Sequence, residues 1–263
     1  MQETKIVVTT TYDPSAEAAL EANRVAEELR ATFVPRGRSS LNKLRARRPG
    51  AAIVVVGAET LEWHPENGGP PFFFHPGMSL VRAKRLAEGG RDAMLEACRF
   101  EPGDAVVDCT AGLGADAIVF SFAGGERSRV VAVESERPLH FVVTRGLKTY
   151  ESGWAPFDEA LRRIATVRAD HTAYLRSLPD RSVDIVYFDP MFESPVHASQ
   201  GLSPLRSLAN ARPLSEEAVR EARRVARKSV VLKERGGADV WERLGFDAQA
   251  KSRTQVAYGV ITL

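Results

Sequence analysis

The sequence predicts an α/β protein, with a doubly wound parallel sheet over residues 76–263 and a small α/β domain over residues 1–75. From residue 100 onward, short apolar strands alternate with helical stretches, which is typical of a parallel sheet with helices on both faces. Two strand-like runs, 246–252 and 255–263, close the chain. They lie too near each other for a crossover helix, so they predict an antiparallel terminal hairpin at the sheet edge.

The first 56 residues contain the elements of the small domain in order. Residues 6–10 predict a strand. The sequence Asp13-Pro14-Ser15 then gives a helix-start signal before apolar residues at helical spacing over 18–29. A basic segment at 40–48 is helical in pattern and is closed by a proline and a glycine. The near-continuous apolar run 51–56 predicts a strand that is buried on both faces.

Residues 70–77, in which prolines surround three consecutive phenylalanines, predict a connecting segment before the large domain. Helical patterns follow at 78–87 and 91–98. Five short apolar strands then supply the parallel sheet, at residues 105–109, 130–134, 164–168, 183–188 and 229–233.

Composition and cysteine usage argue against a membrane protein, an exported protein and a metal-binding protein. The chain has 263 residues, of which 44% are hydrophobic and 27% charged, as expected for a globular protein. Its apolar runs are far shorter than a bilayer span, and Glu3 stands where a signal peptide would carry positive charge. The two cysteines, Cys98 and Cys109, have no metal-ligand spacing and are expected to be buried, reduced thiols. We therefore expect a cytoplasmic protein with no metal site and no membrane partner.

Charge is distributed unevenly although the net charge is only +2. Between residues 30 and 50 there are seven basic residues and no acidic one. Such a cluster can neutralise the phosphates of a nucleic acid, but a solvated helix face would have the same composition. The seven residues of this basic segment are Arg30, Arg36, Arg38, Lys43, Arg45, Arg47 and Arg48.

A glycine-rich turn follows the strand at 105–109. Glycines between a strand and a helix let the backbone approach a ligand closely, because no Cβ intervenes. The same turn fits the dinucleotide pattern G-x-G-x-x-A, and a tight strand–helix turn without a ligand is an open alternative. The candidate cofactor-binding residues of this turn are Asp108, Thr110, Gly112, Gly114, Ala115 and Asp116.

Acidic residues end the next two strands. Glu134 lies about twenty residues past the glycines, where a carboxylate can accept both hydroxyls of a ribose. Asp170 and His171 end the third strand, where a side chain could bind an adenine edge, although Asp170 is equally well placed to cap a helix.

The fourth strand ends in Asp189, Pro190, Met191 and Phe192. The Asp189 carboxylate and the Pro190 carbonyl could both accept hydrogen bonds from an exocyclic amine on a nucleobase. These bonds would localise the nitrogen lone pair toward an incoming methyl group, while Phe192 stacks on the base. A strand that simply ends at an Asp-Pro turn beside a packed phenylalanine is the open alternative. Asp189, Pro190 and Phe192 are the candidate catalytic residues.

These motifs together resemble the motif series of class I S-adenosylmethionine-dependent methyltransferases. Within that group, residues 110–117 and 186–192 are similar to the ribosomal small-subunit RNA guanine-N2 methyltransferase J family. The resemblance spans roughly residues 75–235 and implies a Rossmann-like, seven-stranded sheet whose last strand runs antiparallel. Thr110 stands where many methyltransferases have a first glycine.

The resemblance also implies the cofactor, S-adenosyl-L-methionine, and a substrate, small-subunit rRNA. The matching cofactor-binding positions are Ala115 and Asp116, Glu134 and Ser135, Asp170 and His171, and Asp189. We expect the basic segment and the long loop 193–213, with Arg206 and Arg212, to hold the RNA backbone.

Three other functions stay open at this point. An NAD(P)-dependent oxidoreductase would explain the glycine turn and Glu134, but it leaves Asp189 and the terminal hairpin without a role. A non-catalytic RNA-binding module could have kept the fold. A methyltransferase that acts on a protein or a small molecule is favoured by the modest net charge.

Overall fold

The structure, a computed structural model, describes residues 5–190, 212–235, 239–249 and 256–263. The chain divides into two compact units, and the division along the chain falls between Phe74 and His75. The unit formed by residues 5–74 is called the small unit below, and the described residues from 75 onward form the large unit.

A five-stranded mixed sheet forms the centre of the small unit, with strand order β2-β1-β3-β4-β5. The strands β1 to β3 run parallel, whereas β4 and β5 are antiparallel to their neighbours. The strand at 51–56 is buried at every residue, which confirms the prediction that both of its faces are covered. The strands are β1 (Lys5–Thr10), β2 (Thr32–Phe33), β3 (Ala51–Val56), β4 (Leu61–His64) and β5 (Phe72–Phe73).

Two helices accompany this sheet. Helix α1 (Ala16–Glu28) begins at Ser15, whose side chain accepts a hydrogen bond from the amide of Ala18, as the sequence predicted. Helix α2 (Leu41–Arg47) is capped in the same way by Ser40. Leu44 of α2 is buried in one cluster with residues of β1 and β3, and Leu41 packs against the same cluster, so two leucines anchor an otherwise basic helix.

A seven-stranded sheet forms the centre of the large unit, with strand order β11-β12-β10-β9-β6-β7-β8. The neighbours β8, β7, β6, β9 and β10 are parallel, and β12 is antiparallel to both β10 and β11. The predicted terminal hairpin and the seven-stranded sheet are therefore confirmed. The strands are β6 (Ala105–Asp108), β7 (Arg129–Glu134), β8 (Ala165–Arg168), β9 (Val183–Phe188), β10 (Ala226–Arg235), β11 (Asp247–Gln249) and β12 (Val256–Thr262).

Alternate residues of these strands pack on opposite faces of the sheet. On one face, Val186 and Leu232 share a core cluster with Leu175 and Ala222 of two helices. On the other face, the ring of Tyr187 meets Phe120 edge-on at 5.5 Å. The helices are α3 (Met78–Ala87), α4 (Ala93–Ala97), α5 (Ala115–Gly124), α6 (Arg137–Thr149), α7 (Ala155–Arg162), α8 (His171–Ser177), α9 (Glu216–Val225) and α10 (Val240–Leu244).

Two strands of the small unit, β4 and β5, were not predicted. They have four and two residues, and β5 lies inside the aromatic segment that the sequence predicts to be a connection. Such short strands carry too few residues for alternation to be recognised. Trp63 of β4 is 1% exposed and stacks with Phe72 of β5, so aromatic packing accompanies this pairing.

Cys98 and Cys109 are buried and form no disulfide, as expected. Among the helices of the described ranges, none combines the length and the hydrophobicity that crossing a bilayer requires.

Candidate active site

The glycine-rich turn joins the end of β6 to the start of α5. Gly112 and Gly114 have φ angles of +52° and +80°, which an L-residue with a side chain adopts only at a cost. Asp108, which is 1% exposed, accepts a hydrogen bond from the amide of Thr110 at 3.1 Å. Asp108 thus lies behind the turn and fixes its first residue, and its predicted contact with a cofactor stays a prediction.

Glu134, at the end of β7, is bonded to the same turn. One carboxylate oxygen accepts from the amide of Gly112 at 3.1 Å and the other from the amide of Glu136 at 2.8 Å. Burial raises the pKa of Glu134. Ser135 lies beside it and donates its hydroxyl to Glu136 at 3.1 Å. The structure therefore brings the glycine turn and the predicted ribose acceptor into direct contact.

Asp189, at the end of β9, is fixed by the residue that departs from the glycine pattern. Its backbone amide donates to the hydroxyl of Thr110 at 2.5 Å, a bond that a glycine could not make. The Asp189 side chain is 29% exposed, and Pro190 follows it directly. Met191, Phe192 and Arg206 lie outside the described residues, so the stacking assigned to Phe192 stays a prediction.

Asp170 and His171 lie at the start of α8, after the third strand. Asp170 accepts hydrogen bonds from the amides of Thr172 and Ala173, so it caps the helix. It also forms an ion pair with Arg212 at 3.4 Å. The His171 ring meets Phe188 edge-on at 5.7 Å, and burial lowers its pKa, which favours the neutral imidazole.

A network of five charged residues, called the charge cluster below, extends inward from Asp189. At its centre, Asp116 accepts from Arg82 at 2.5 Å and from Lys233 at 3.0 Å. Lys233 also donates to Asp189 at 2.7 Å, and Arg82 forms a two-bond ion pair with Asp92 at 2.8 and 2.9 Å. The cluster comprises Arg82, Asp92, Asp116, Asp189 and Lys233.

Asp116 is therefore occupied by protein donors. Its side chain is 7% exposed, and the Tyr187 hydroxyl donates a further hydrogen bond to it at 2.8 Å. Ala115 precedes it as the first residue of α5. Because the carboxylate already accepts three bonds, its evident structural work is to hold neighbouring elements together, and the cofactor contact predicted for it stays a prediction.

The protein shifts the pKa values of Asp116, Lys233 and Asp189 in different directions. Burial opposes ionisation of Asp116, but Lys233 and Arg82 outweigh it and hold the pKa of that carboxyl well below its usual range. Burial also opposes the charge of Lys233, but Asp116 and Asp189 hold the pKa of its ammonium well above the usual value. Burial raises the pKa of Asp189 to about 6, an effect that Asp116 strengthens and Lys233 opposes. Asp189 is thus the carboxylate of this trio that gains a proton first as the pH falls below neutral.

The sequence interpretation did not include Arg82, Asp92, Tyr187 or Lys233 among the candidate residues. A lysine near the end of the apolar strand at 229–233 was a visible signal, because an unpaired charge in a buried strand is costly. Arg82 gave no comparable signal, since its partner Asp116 is 34 positions away. Within the described ranges, no group of three His, Cys, Asp or Glu side chains is arranged to hold a metal ion.

Comparison with known sequences gives a family match and relatives of differing coverage. Residues 64–256 match the sequence profile of a family described as "Putative SAM-dependent methyltransferase". The chain is 39% identical over 255 residues to the Bacillus subtilis protein described as "Uncharacterized protein YpiP", covering 97% of this chain and 98% of that protein.

Similarity to ribosomal RNA small subunit methyltransferase J covers less of the chain. The protein of that name from Agrobacterium fabrum is 32% identical over 57% of this chain and 71% of its own length. The protein of the same name from Acinetobacter baumannii strain SDF is 29% identical over 43% of this chain and 39% of its own length, so the matched segment spans well under half of that relative.

A solved structure of a SAM-dependent methyltransferase from Neisseria gonorrhoeae superposes with a TM-score of 0.62 and covers 97% of this chain and 95% of its own. At 18% identity, this likeness bears on the fold alone.

The raised pKa of Asp189 predicts how its substitution changes stability. Since the folded pKa of about 6 lies above the ordinary value near 4, ionising Asp189 costs folding free energy as the pH rises between the two. Asp189→Asn should therefore be more stable than the wild type at pH 7.5, by on the order of 1–2 kcal/mol, and the gain should vanish at pH 4. Urea denaturation at both pH values measures this.

Asp184→Asn is the matched control, because a hydrogen bond from Arg227 lowers the pKa of Asp184. Its stability contribution is present above the ordinary pKa and is lost in acid, so this variant should be less stable than the wild type at pH 7.5. An Asp189→Asn variant that is less stable than the wild type by the same amount at both pH values contradicts the assignment.

Proposed function

The chain belongs to the family of SAM-dependent methyltransferases, and we propose that it methylates the exocyclic N2 amine of a guanine in small-subunit rRNA. The observation that carries this proposal is the bond between Asp189 and Thr110. It ties the group that would face the target amine to the glycine turn that would hold the cofactor. Family membership leaves the oxidoreductase alternative without support, since the cofactor is S-adenosylmethionine rather than NAD(P).

The residues at the carboxyl ends of β6 and β7 fit an adenosine-containing cofactor. Gly112 has no Cβ, and a Cβ built there would meet only the Thr110 carbonyl oxygen, at 3.9 Å, so the backbone is open to a ligand. Glu134 lies against this turn, and a carboxylate that already accepts two amide bonds retains lone pairs for ribose hydroxyls. We assign Glu134 to the ribose hydroxyls of the cofactor and Gly112 to the close approach of the cofactor to the turn.

When bound, S-adenosylmethionine supplies an electrophilic methyl group on a positively charged sulfonium. Asp92 pairs with Arg82 and also with Arg85 at 3.3 Å, and Asp116 pairs with Arg82 and Lys233, whereas Asp189 shares Lys233 alone within the described ranges. Asp189 is also the most exposed of the three carboxylates, so it is the negative charge of the cluster that a ligand can reach. A preorganised negative charge at this edge favours a cationic ligand there and needs no rearrangement during the reaction.

Asp189 and Pro190 act on the target amine. The lone pair of an exocyclic amine is delocalised into the base, and hydrogen bonds to the Asp189 carboxylate and the Pro190 carbonyl localise it toward the methyl group. As the nitrogen gains the methyl group it loses one proton, which the Asp189 carboxylate accepts and passes to water. Phe192, which follows in the sequence, is the proposed stacking residue for the base.

The rRNA target is supported by the names of the relatives and by charge. A guanine in folded RNA must be unstacked to reach such an edge, which costs a few kcal/mol and requires a firm hold on the backbone. Five residues of the basic segment are exposed, and in the described part of the chain none of the seven pairs with a carboxylate. We assign this segment to the phosphate backbone; such a substrate would place the enzyme in the cytoplasm.

One exception within the segment is Arg36, which stacks on Tyr12 at 4.0 Å and donates to the carbonyl oxygens of Thr10 and Ser39. Arg36 is therefore assigned to the structure of the small unit rather than to RNA. A protein or small-molecule substrate is the second candidate, and the net charge of only +2 is the observation that favours it.

The proposed function predicts transfer of a methyl group to unmodified small subunits. Purified protein with S-adenosylmethionine should convert guanosine to N2-methylguanosine, as measured by mass spectrometry of nucleosides. Asp189→Asn, which can neither accept the proton nor carry the charge, should reduce the rate at least 100-fold. Transfer at the wild-type rate by this variant, or no methylated nucleoside from the wild type, rejects the proposal.

Glu134→Ala should weaken cofactor binding by a factor of about 10–100, because hydrogen bonds to a charged acceptor contribute roughly 1.5–3 kcal/mol. Isothermal titration calorimetry with S-adenosylmethionine measures this directly. Glu151→Ala removes an exposed glutamate paired with Arg162 and should bind as the wild type does. Equal affinities for the two variants would remove Glu134 from the cofactor site.

Replacing Arg38, Lys43 and Arg47 together with glutamine should weaken RNA binding and reduce its salt dependence. Each lost phosphate contact lowers the slope of log affinity against log salt by about 1. The control replaces three exposed basic residues of the large unit, Arg99, Arg127 and Lys148. If both triple variants behave alike, the effect is one of net charge and the basic segment has no specific contact.

A further inference from the structure

We propose that Lys233 is a positioning residue that keeps Asp189 ionised and orients its carboxylate toward the target amine. The inference deepens the proposed function and rests on it, since it assumes that Asp189 receives the amine proton. It assigns a role to a residue that would otherwise count only as half of an ion pair.

The geometry begins with strand β10, which carries Lys233 beside Asp189 at the end of the parallel strand β9. The Lys233 ammonium lies between two carboxylates, 3.0 Å from Asp116 Oδ2 and 2.7 Å from Asp189 Oδ2. Because it binds Asp189 through Oδ2, the remaining oxygen, Oδ1, is the one offered to a substrate. The backbone of Asp189 is held separately by Thr110, so the side chain is fixed from strand β10 and the main chain from the glycine-rich turn.

The other groups around Lys233 do not replace its charge. Arg82 of α3 is committed to Asp92 and Asp116. Tyr187 of β9 donates to Asp116, and burial raises its pKa, so it stays neutral.

Two further groups face the cluster from neighbouring strands. Tyr258 lies directly opposite Lys233 on β12, and burial raises its pKa to about 12. Asp108 of β6 is buried, and its pKa lies well above the usual range. In the part of the chain that the structure describes, Lys233 is thus the cation that contacts Asp189.

Two carboxylates consequently share one ammonium group, and this sharing predicts opposite effects for two substitutions. Lys233→Met removes the cation, so the repulsion from Asp116 is no longer opposed and Asp189 should hold its proton to higher pH. Asp116→Asn removes the repulsion and leaves Lys233 to Asp189 alone, so Asp189 should lose its proton at lower pH. A role limited to structural support would not move the titration of Asp189 in two directions.

The same strand offers a matched control. Lys228, near the start of β10, also bridges two carboxylates, Glu101 at 2.9 Å and Asp104 at 2.6 Å. Lys228→Met therefore removes a double ion pair, a more exposed one, without touching Asp189 or Asp116. A general effect of losing such a pair would appear in this variant as well.

The experiment measures the pH dependence of kcat for methyl transfer in the wild type and in the Lys233→Met, Lys233→Arg, Asp116→Asn and Lys228→Met variants. The acidic limb should lie near pH 6 in the wild type and move up by about 1 unit or more in Lys233→Met. This should reduce kcat at pH 7 about 2-fold for a shift of about 1 unit and about 10-fold for a shift of about 2 units. The limb should move down in Asp116→Asn and stay in place in Lys233→Arg and Lys228→Met. KM for RNA should differ less than twofold from the wild-type value in all four variants.

A second readout needs neither RNA nor cofactor. In protein labelled with ¹³C at aspartate carboxyl groups, the Asp189 resonance, identified by its loss in Asp189→Asn, should show the same shifts in titration midpoint. If Lys233→Met does not fold, Asp116→Asn and Lys233→Arg still test the proposal by their predicted downward and absent shifts.

The outcomes separate the two proposals. Predicted shifts in the Asp189 midpoint with no methyl transfer to RNA would overturn the proposed substrate and retain Lys233 as the group that sets the charge of Asp189. Methyl transfer with an unchanged Asp189 midpoint in Lys233→Met or Asp116→Asn would overturn the role of Lys233 alone.

Discussion

Asp116 accepts hydrogen bonds from Arg82, Tyr187 and Lys233, which come from three separate elements of the large unit, α3, β9 and β10. Asp116 itself is the second residue of α5, directly after the glycine turn. One buried carboxylate therefore determines where the turn, the central strand β9 and the neighbouring strand β10 lie relative to each other. A buried charge with three donors is tolerated, but it becomes very costly once a donor is removed, so the arrangement is specified sharply.

The consequence for chemistry arises at the exposed end of the same network. Asp92 and Asp116 both pair with Arg82, whereas Asp189, among the residues that the structure describes, pairs only with Lys233, which also binds Asp116. Burial therefore raises the pKa of Asp189. A carboxylate whose pKa is about 6 is mostly ionised at neutral pH and can still take up and release a proton readily. In the proposed function Asp189 accepts the amine proton, and the folding free energy lost at this carboxylate is then the stability cost of that activity.

The sequence predicted those parts of the fold that depend on local pattern. The apolar runs at 51–56 and 183–188 are strands with the predicted ends, and the helix at 78–87 is observed as predicted. Glu134, Asp189 and the glycine turn lie at the same edge of the sheet. Each follows a parallel strand, and the carboxyl ends of parallel strands meet at one edge.

The charge cluster could not be predicted in this way, since Arg82, Asp116 and Lys233 are joined only by tertiary packing. Thr110 illustrates the same limit. In the sequence it is a departure from a glycine pattern, whereas in the structure its hydroxyl binds the backbone of Asp189. The short strands β4 and β5 lacked the length that makes alternation visible.

The central claim is that the charge cluster stays intact and presents Asp189 to the methyl donor, and a crystal structure with bound S-adenosylhomocysteine tests it most directly. We expect the ribose hydroxyls to bind Glu134, the sulfur to lie beside the turn of Asp189 and Pro190, and Asp116 to stay bonded to Arg82 and Lys233. A ligand bound elsewhere, or an Asp116 that leaves both cations to contact the ligand, would contradict it.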